Sequence, residues 1–173
     1  MIVTLLQDAA GMSTLARLAD PWARLYSDSK AVSAAVLFLH LVPLLVAGGT
    51  ALVTDRGTLR AANGNAAERT GQLAALAATH PVILGGLTLS LVSGGAMFLS
   101  DVDTFLVSPF FWVKLGCIAL LLGNGFVMTR TEQALRTVED DRKLWRRLRS
   151  VAALSIVLWI ATTLAGVVLS QSA

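Results

Sequence analysis

Four apolar runs, at residues 32–53, 81–99, 110–128 and 151–169, set the terms for everything else in this chain. A helix needs about 20 consecutive apolar residues to cross the hydrocarbon core of a bilayer, and each run is of about that length. Only helices and closed barrels satisfy every backbone N–H and C=O in hydrocarbon. Transmembrane barrel strands alternate apolar and polar residues in segments of about ten, and these runs do not alternate. The sequence therefore predicts an all-α fold, a four-helix transmembrane bundle, with residues 1–30 as a separate segment and 31–173 as the membrane domain. Composition agrees, since 55% of the 173 residues are hydrophobic, 14% are charged and the mean hydropathy is +0.68. Soluble domains carry about 25% charged residues.

The first 30 residues carry charges throughout and lack the basic start and short apolar core of a cleaved leader, so they read as mature chain. Leu15, Leu18, Trp22 and Leu25 recur three or four apart, with Arg17, Asp20 and Arg24 between them. That pattern predicts an interfacial helix lying on the outer surface, restarted near its middle by Pro21. Pro109 suits the first turn of the third span, with Ser108 as its cap.

Lys and Arg concentrate in cytoplasmic loops. Arg56, Arg60 and Arg69 lie in the first loop, and Arg130, Arg136, Arg142, Lys143, Arg146, Arg147 and Arg149 in the third. The opposite side has only Arg17, Arg24 and Lys30. Loops 54–80 and 129–150 are thus expected in the cytoplasm and both termini outside, across a bacterial inner membrane. The third loop pairs Glu132 with Arg136 and Glu139 with Lys143 at i,i+4, while Leu135, Val138, Trp145 and Leu148 recur at helical spacing. It is expected to extend the third and fourth spans as helices. Topology accounts for the basic run and the pI near 9.6, so nucleic acid is not an expected partner. Cys117, the only cysteine, permits no intramolecular disulfide and reads as a small packing residue.

Setting "LHLVPLLVAGGTALVTDR" over "VKLGCIALLLGNGFVMTR" aligns Gly49 with Gly123 and Arg56 with Arg130, and puts Lys114 where the first half has His40. The alignment reads as a parallel duplication of a two-helix unit.

Polar residues inside the spans fall in two layers. His40, Ser93, Lys114, Thr162 and Thr163 lie five to eight residues from their outer helix ends, about 8 to 12 Å deep. His80, Thr50, Asn124 and Ser155 form an inner layer. Intramembrane ionisable groups are functional candidates by default. Two readings of Lys114 stand: snorkelling outward to Asp101 or Asp103, or pointing inward. His40 has no snorkelling option, because imidazole is short. Pro43 also removes the amide that would bond the Leu39 carbonyl, loosening the helix beside the ring. Either Ser93 or a threonine satisfies the ring, or it ligates a metal or haem iron. His80, followed by Pro81, reads as a helix start with His80 or Thr79 at the cap. Whether the two histidines share one iron depends on helix register, and the sequence admits both answers.

The order "FLHLVPLLVAGG" and "TDR", then "HPVILGGLTLSLVSGGAMFLSD", then "SPFFWVKLGCIALLLGNG" resembles small bacterial integral-membrane proteins allied to the CopD copper-resistance superfamily. The residues that carry it are His40, His80, Pro81, Phe111, Trp112, Lys114 and Leu115. The resemblance implies a four-helix membrane bundle with either copper handling or b-type haem and electron transfer. Copper carriers present soft ligands, whereas this chain has four scattered methionines and one cysteine.

The leading expectation is a membrane redox protein with haem b on His40, His80 as second ligand or metal ligand, and Ser93 and Lys114 in the cofactor site. Lys114 would then lie near a haem propionate or a quinone-facing edge, with quinone or a redox protein as electron partner. The rival is a non-catalytic anchor or assembly subunit of a larger complex or oligomer. A proton or ion path through His40 and Lys114 ranks last, since no Asp or Glu lies within the four apolar runs. No phosphate-binding loop, HExxH helix or nucleophile elbow is present, which argues against a hydrolase of soluble substrates.

Overall fold

A computed structural model describes residues 2–138 and 141–172, with side-chain surroundings for residues 14, 16–138 and 141–168. Its elements are all helical: α1 (Ile2–Asp28), α2 (Lys30–Ala61), α3 (Ala66–Ser100), α4 (Val102–Val107), α5 (Pro109–Thr137) and α6 (Arg142–Ser172). Of these, α2, α3, α5 and α6 are long and apolar enough to cross a membrane. The all-α bundle with four spans is the architecture the apolar runs predict.

The helices outrun those apolar runs. The first loop shrinks to a turn at 62–65, while α5 runs to Thr137 and α6 begins at Arg142. Residues 129–137 and 142–150 extend α5 and α6, as the periodicity predicts. Leu135, Trp145 and Leu148 are buried there, while Val138 departs from the stripe as the exposed C-cap of α5. The expected Glu139–Lys143 pair and the side chain of Leu15 lie outside the described residues.

The start of α3 corrects the sequence reading of His80. Asn65 caps the helix, its side chain accepting the Glu68 N–H at 3.0 Å while the Glu68 carboxylate accepts the Asn65 N–H at 3.1 Å. This capping box satisfies two N-terminal donors at once. The Ala- and Leu-rich residues that follow are strong helix formers, so the helix begins well before Pro81 and runs through it. His80 and Thr79 are therefore mid-helix rather than caps. Pro21 likewise sits inside a continuous α1 instead of restarting it. Pro109 takes the first turn of α5 as expected, but Ser108 makes no side-chain capping bond. The outer loop folds a short α4, capped by Asp101, whose carboxylate accepts the Thr104 N–H at 3.3 Å.

Packing joins two helical hairpins, α2–α3 and α5–α6, mainly along α2 and α6, whereas α3 and α5 touch only sparingly. Close approach occurs at glycines. A Cβ on Gly86 of α3 would lie 2.7 Å from the Pro43 carbonyl oxygen, and one on Gly48 of α2 would lie 3.1 Å from the Trp159 ring of α6. Trp159 belongs to a core with Ala47, Ala51, Leu121 and Leu158, and a second core around Leu135, Trp145 and Leu148 fills the end of the bundle that holds the 62–65 turn. Leu45, Val53, Leu91 and Leu120 are 60–74% exposed, which fits a bundle whose outer faces meet lipid. The last turns of α1 rest on α3, where Trp22 Nε1–H donates to the Ala96 carbonyl at 2.7 Å. Leu18 and Leu25 remain exposed on α1.

Candidate functional site

His40 sits where Pro43 interrupts the hydrogen-bond ladder of α2. Pro43 has no N–H, so the Leu39 carbonyl loses its helical donor. Ser93 Oγ comes within 3.2 Å of that carbonyl from α3, while also lying 2.8 Å from its own helix's Leu89 carbonyl. Its single proton is thus shared between two helices. One turn earlier, Ser90 Oγ–H donates to the His40 carbonyl at 3.1 Å. In return, the His40 Nδ1 lies 2.8 Å from the Ser90 carbonyl oxygen. A carbonyl only accepts, so Nδ1 carries the proton and donates it. Ser93 Oγ is farther from Nδ1, at 3.4 Å.

The ring is therefore held through one nitrogen. Nε2 has no hydrogen-bond partner among the described residues, all ring contacts running through Nδ1. Gly94 leaves room beside it, since a Cβ there would come within 3.0 Å of Cε1. Ser90 was missed at the sequence level because it acts chiefly through its backbone carbonyl. The available signal was its spacing, three residues before Ser93 on the same helical face.

Lys114 points inward. It shares a face of α5 with Leu121 and Asn124, both buried, and its Nζ would be 3.7 Å from a Cβ on Gly166 of α6. It does not snorkel to Asp101 or Asp103, and forms no ion pair among the described residues. Thr162 and Thr163 bond back to their own helix, at the Leu158 and Trp159 carbonyls. The outer layer thus brings His40, Ser90 and Ser93 into contact, with Lys114 beside Gly166 of α6.

His80 belongs to a separate cluster. Its Nδ1 is 3.2 Å from Glu132 Oε2 and its Nε2 is 3.2 Å from Thr129 Oγ1, both on α5. Glu132 is 3% exposed. Arg136 holds its other oxygen, with Nη2 at 2.8 Å and Nε at 3.2 Å, and Nη2 also donates to the Leu73 carbonyl at 2.8 Å. The i,i+4 pair of Glu132 and Arg136 was expected; its burial and its reach to His80 were not. His40 bonds Ser90, and ten residues of α3 separate Ser90 from His80, about 15 Å along the axis. The two histidines do not share a site.

Asp55 was missed as well. It is 2% exposed on α2, and its Oδ2 has no hydrogen-bond partner among the described residues. Because α2 continues past Val53, this carboxyl group is inside the bundle rather than in a loop.

Comparison with known proteins finds no matching family model, no matching curated protein and no matching solved structure. The residues themselves carry the functional argument. Donor chemistry at His40 fits a haem iron with a single protein ligand: one oriented imidazole with a free nitrogen, and one inward ammonium of the sign that pairs with a propionate. His80 does not fit as the opposing ligand, since both its nitrogens have partners on α5. Copper fits less well, because no three His, Cys, Asp or Glu side chains group together among the described residues.

Proposed function

We propose that this multi-pass membrane protein binds b-type haem through His40 and takes part in membrane electron transfer. The observation that supports it is the Nδ1–H contact from His40 to the Ser90 carbonyl, 2.8 Å. Ligating histidines usually give their second N–H to a carbonyl or carboxylate, which fixes the tautomer and aims the other nitrogen at the metal. Bound there, haem would supply one-electron redox chemistry. Ser90 orients the imidazole, Gly94 keeps its edge clear, and Lys114 offers the counter-charge. The resemblance to CopD-allied membrane proteins is compatible with this role. The Lys and Arg residues at 56, 60 and 69 and at 130–149 support a cytoplasmic position for that end of the bundle in a bacterial inner membrane, with the His40 layer toward the outer side, within reach of a quinone or a redox protein.

Absorption spectroscopy tests the proposal. Protein expressed with haem supplied should show a Soret band that shifts on reduction, is lost in His40→Ala and persists in His80→Gln. A wild-type protein with no Soret band overturns it.

A second reading, a proton path, gains support from Asp55, since an unpaired buried carboxyl group inside a membrane bundle commonly marks an ion or proton route. Its sign would be proton flux into dye-loaded liposomes that falls at least tenfold in Asp55→Asn. Equal flux in liposomes with and without wild-type protein removes it.

A further inference from the structure

Where α1 meets α3 and α4, the helices enclose an open cavity of about 460 Å³, remote from the His80 cluster. Its polar walls are biased toward accepting hydrogen bonds. Ser27 Oγ–H donates to the Arg24 carbonyl at 3.0 Å, Ser33 Oγ–H to the Lys30 carbonyl at 3.2 Å, and Ser100 Oγ–H to the Met97 carbonyl at 2.6 Å. With those protons committed to backbone, the serine oxygens present lone pairs to the cavity. Asp101 adds a carboxylate, one oxygen of which accepts from Thr104.

Helix α3 ends at Ser100 and α1 at Asp28, which brings the negative ends of two long helix dipoles to the cavity, against the positive end of α2 beside Ser33. Among the described residues opposing positive charge is limited: Arg24 is paired with Asp20 at 2.8 Å, and Lys30 is exposed in the first turn of α2.

Aromatic side chains supply the remaining wall. Tyr26 lies against Trp22 at 6.1 Å between centroids, and Trp22 is itself pinned to Ala96. Phe105 is wedged between Phe98 and Phe111 at 6.3 and 5.6 Å. Rings held in this way beside a carboxylate suit an organic cation, because the faces of aromatic rings attract ammonium groups. Anions would meet lone pairs, and so would a ligand that offers only carbonyl oxygens.

We propose that this cavity binds an organic ammonium group, presented either by the headgroup of a bilayer lipid or by a small free alkylammonium ion. Trp22 and Tyr26 belong to the residue types that mark the headgroup level of a membrane, and the open side of the cavity gives a headgroup access. The assignment is independent of haem at His40.

The full-length protein in phosphatidylglycerol nanodiscs provides the test, with the fluorescence of Trp22 isolated by difference against Trp22→Phe. One arm adds phosphatidylethanolamine to the discs in steps; the other adds free ethanolamine or tetramethylammonium chloride against sodium chloride of equal ionic strength. The expected result is a saturable change in at least one arm, weakened tenfold or more by Asp101→Asn and by Phe105→Leu. Asparagine retains the side-chain oxygen that caps α4, so circular dichroism of Asp101→Asn should match wild type. Saturation in the lipid arm alone identifies a headgroup site, and saturation with the free amines a soluble ligand. A response that is linear, equal to that of sodium chloride, or unchanged in Asp101→Asn overturns the proposal.

Discussion

Pro43 and Ser93 show how one residue's defect becomes another's role. The proline frees the Leu39 carbonyl, and a hydroxyl from α3 lies within 3.2 Å of it. Ser93→Ala should therefore destabilise the protein by about 0.5–1.5 kcal/mol, the usual net value of one hydrogen bond. In Pro43→Ala, which restores the helical donor, the same serine substitution should have a smaller effect. Unfolding in detergent, read as a double-mutant cycle, checks this; strictly additive effects would mean that Ser93 serves only its own helix. At this scale the sequence revealed the polar residue and the missing helical donor beside it, because both are statements about side chains and a missing N–H. It did not reveal Ser90, whose backbone carbonyl orients the ring and which any residue type could supply.

Among elements, the decisive contact between α2 and α3 is made by what Gly86 lacks. A methyl group there would meet the Pro43 oxygen at 2.7 Å and the Ala47 Cβ at 2.8 Å, whereas at Gly85 nothing lies within 4 Å. Gly86→Ala should cost about 1–3 kcal/mol, as overpacking does. Gly85→Ala, which gains helix propensity without a clash, should be neutral or stabilising by up to about 1 kcal/mol. Thermal unfolding of the two variants side by side separates steric packing from propensity, and equal effects would exclude the close crossing. Helix boundaries were only partly legible at this scale. Asn65 and Glu68 stand in the sequence at capping-box spacing, yet Pro81 and the onset of the apolar run mark a later start. Hydropathy locates what lipid must cover, while caps and propensity locate where the helix begins, and in α3 the two differ by 15 residues.

For the whole molecule, the open question in any four-span sequence is how the hairpins dock. Helices that are apolar on most faces give little sign of which face is inward, so the sequence shows four spans without their arrangement. The buried polar residues supply that information once the helices are extended. Glu132 of α5 reaches His80 of α3 and holds Arg136, which in turn bonds the Leu73 carbonyl of α3, so one carboxylate ties together two helices that otherwise barely touch. Arg136→Met would leave that carboxylate buried beside His80 without its strongest partner. Breaking one side of a buried pair costs about 3–5 kcal/mol, whereas replacing both sides is often nearly neutral. Arg136→Met should therefore weaken the fold severely, and adding Glu132→Gln should recover most of the loss. Both variants can be followed by denaturation in detergent micelles, with a disulfide between α3 and α5 as a reporter of hairpin docking. If the double variant were no more stable than Arg136→Met, the contribution of Arg136 would come from its stem and its bond to Leu73 rather than from neutralising Glu132.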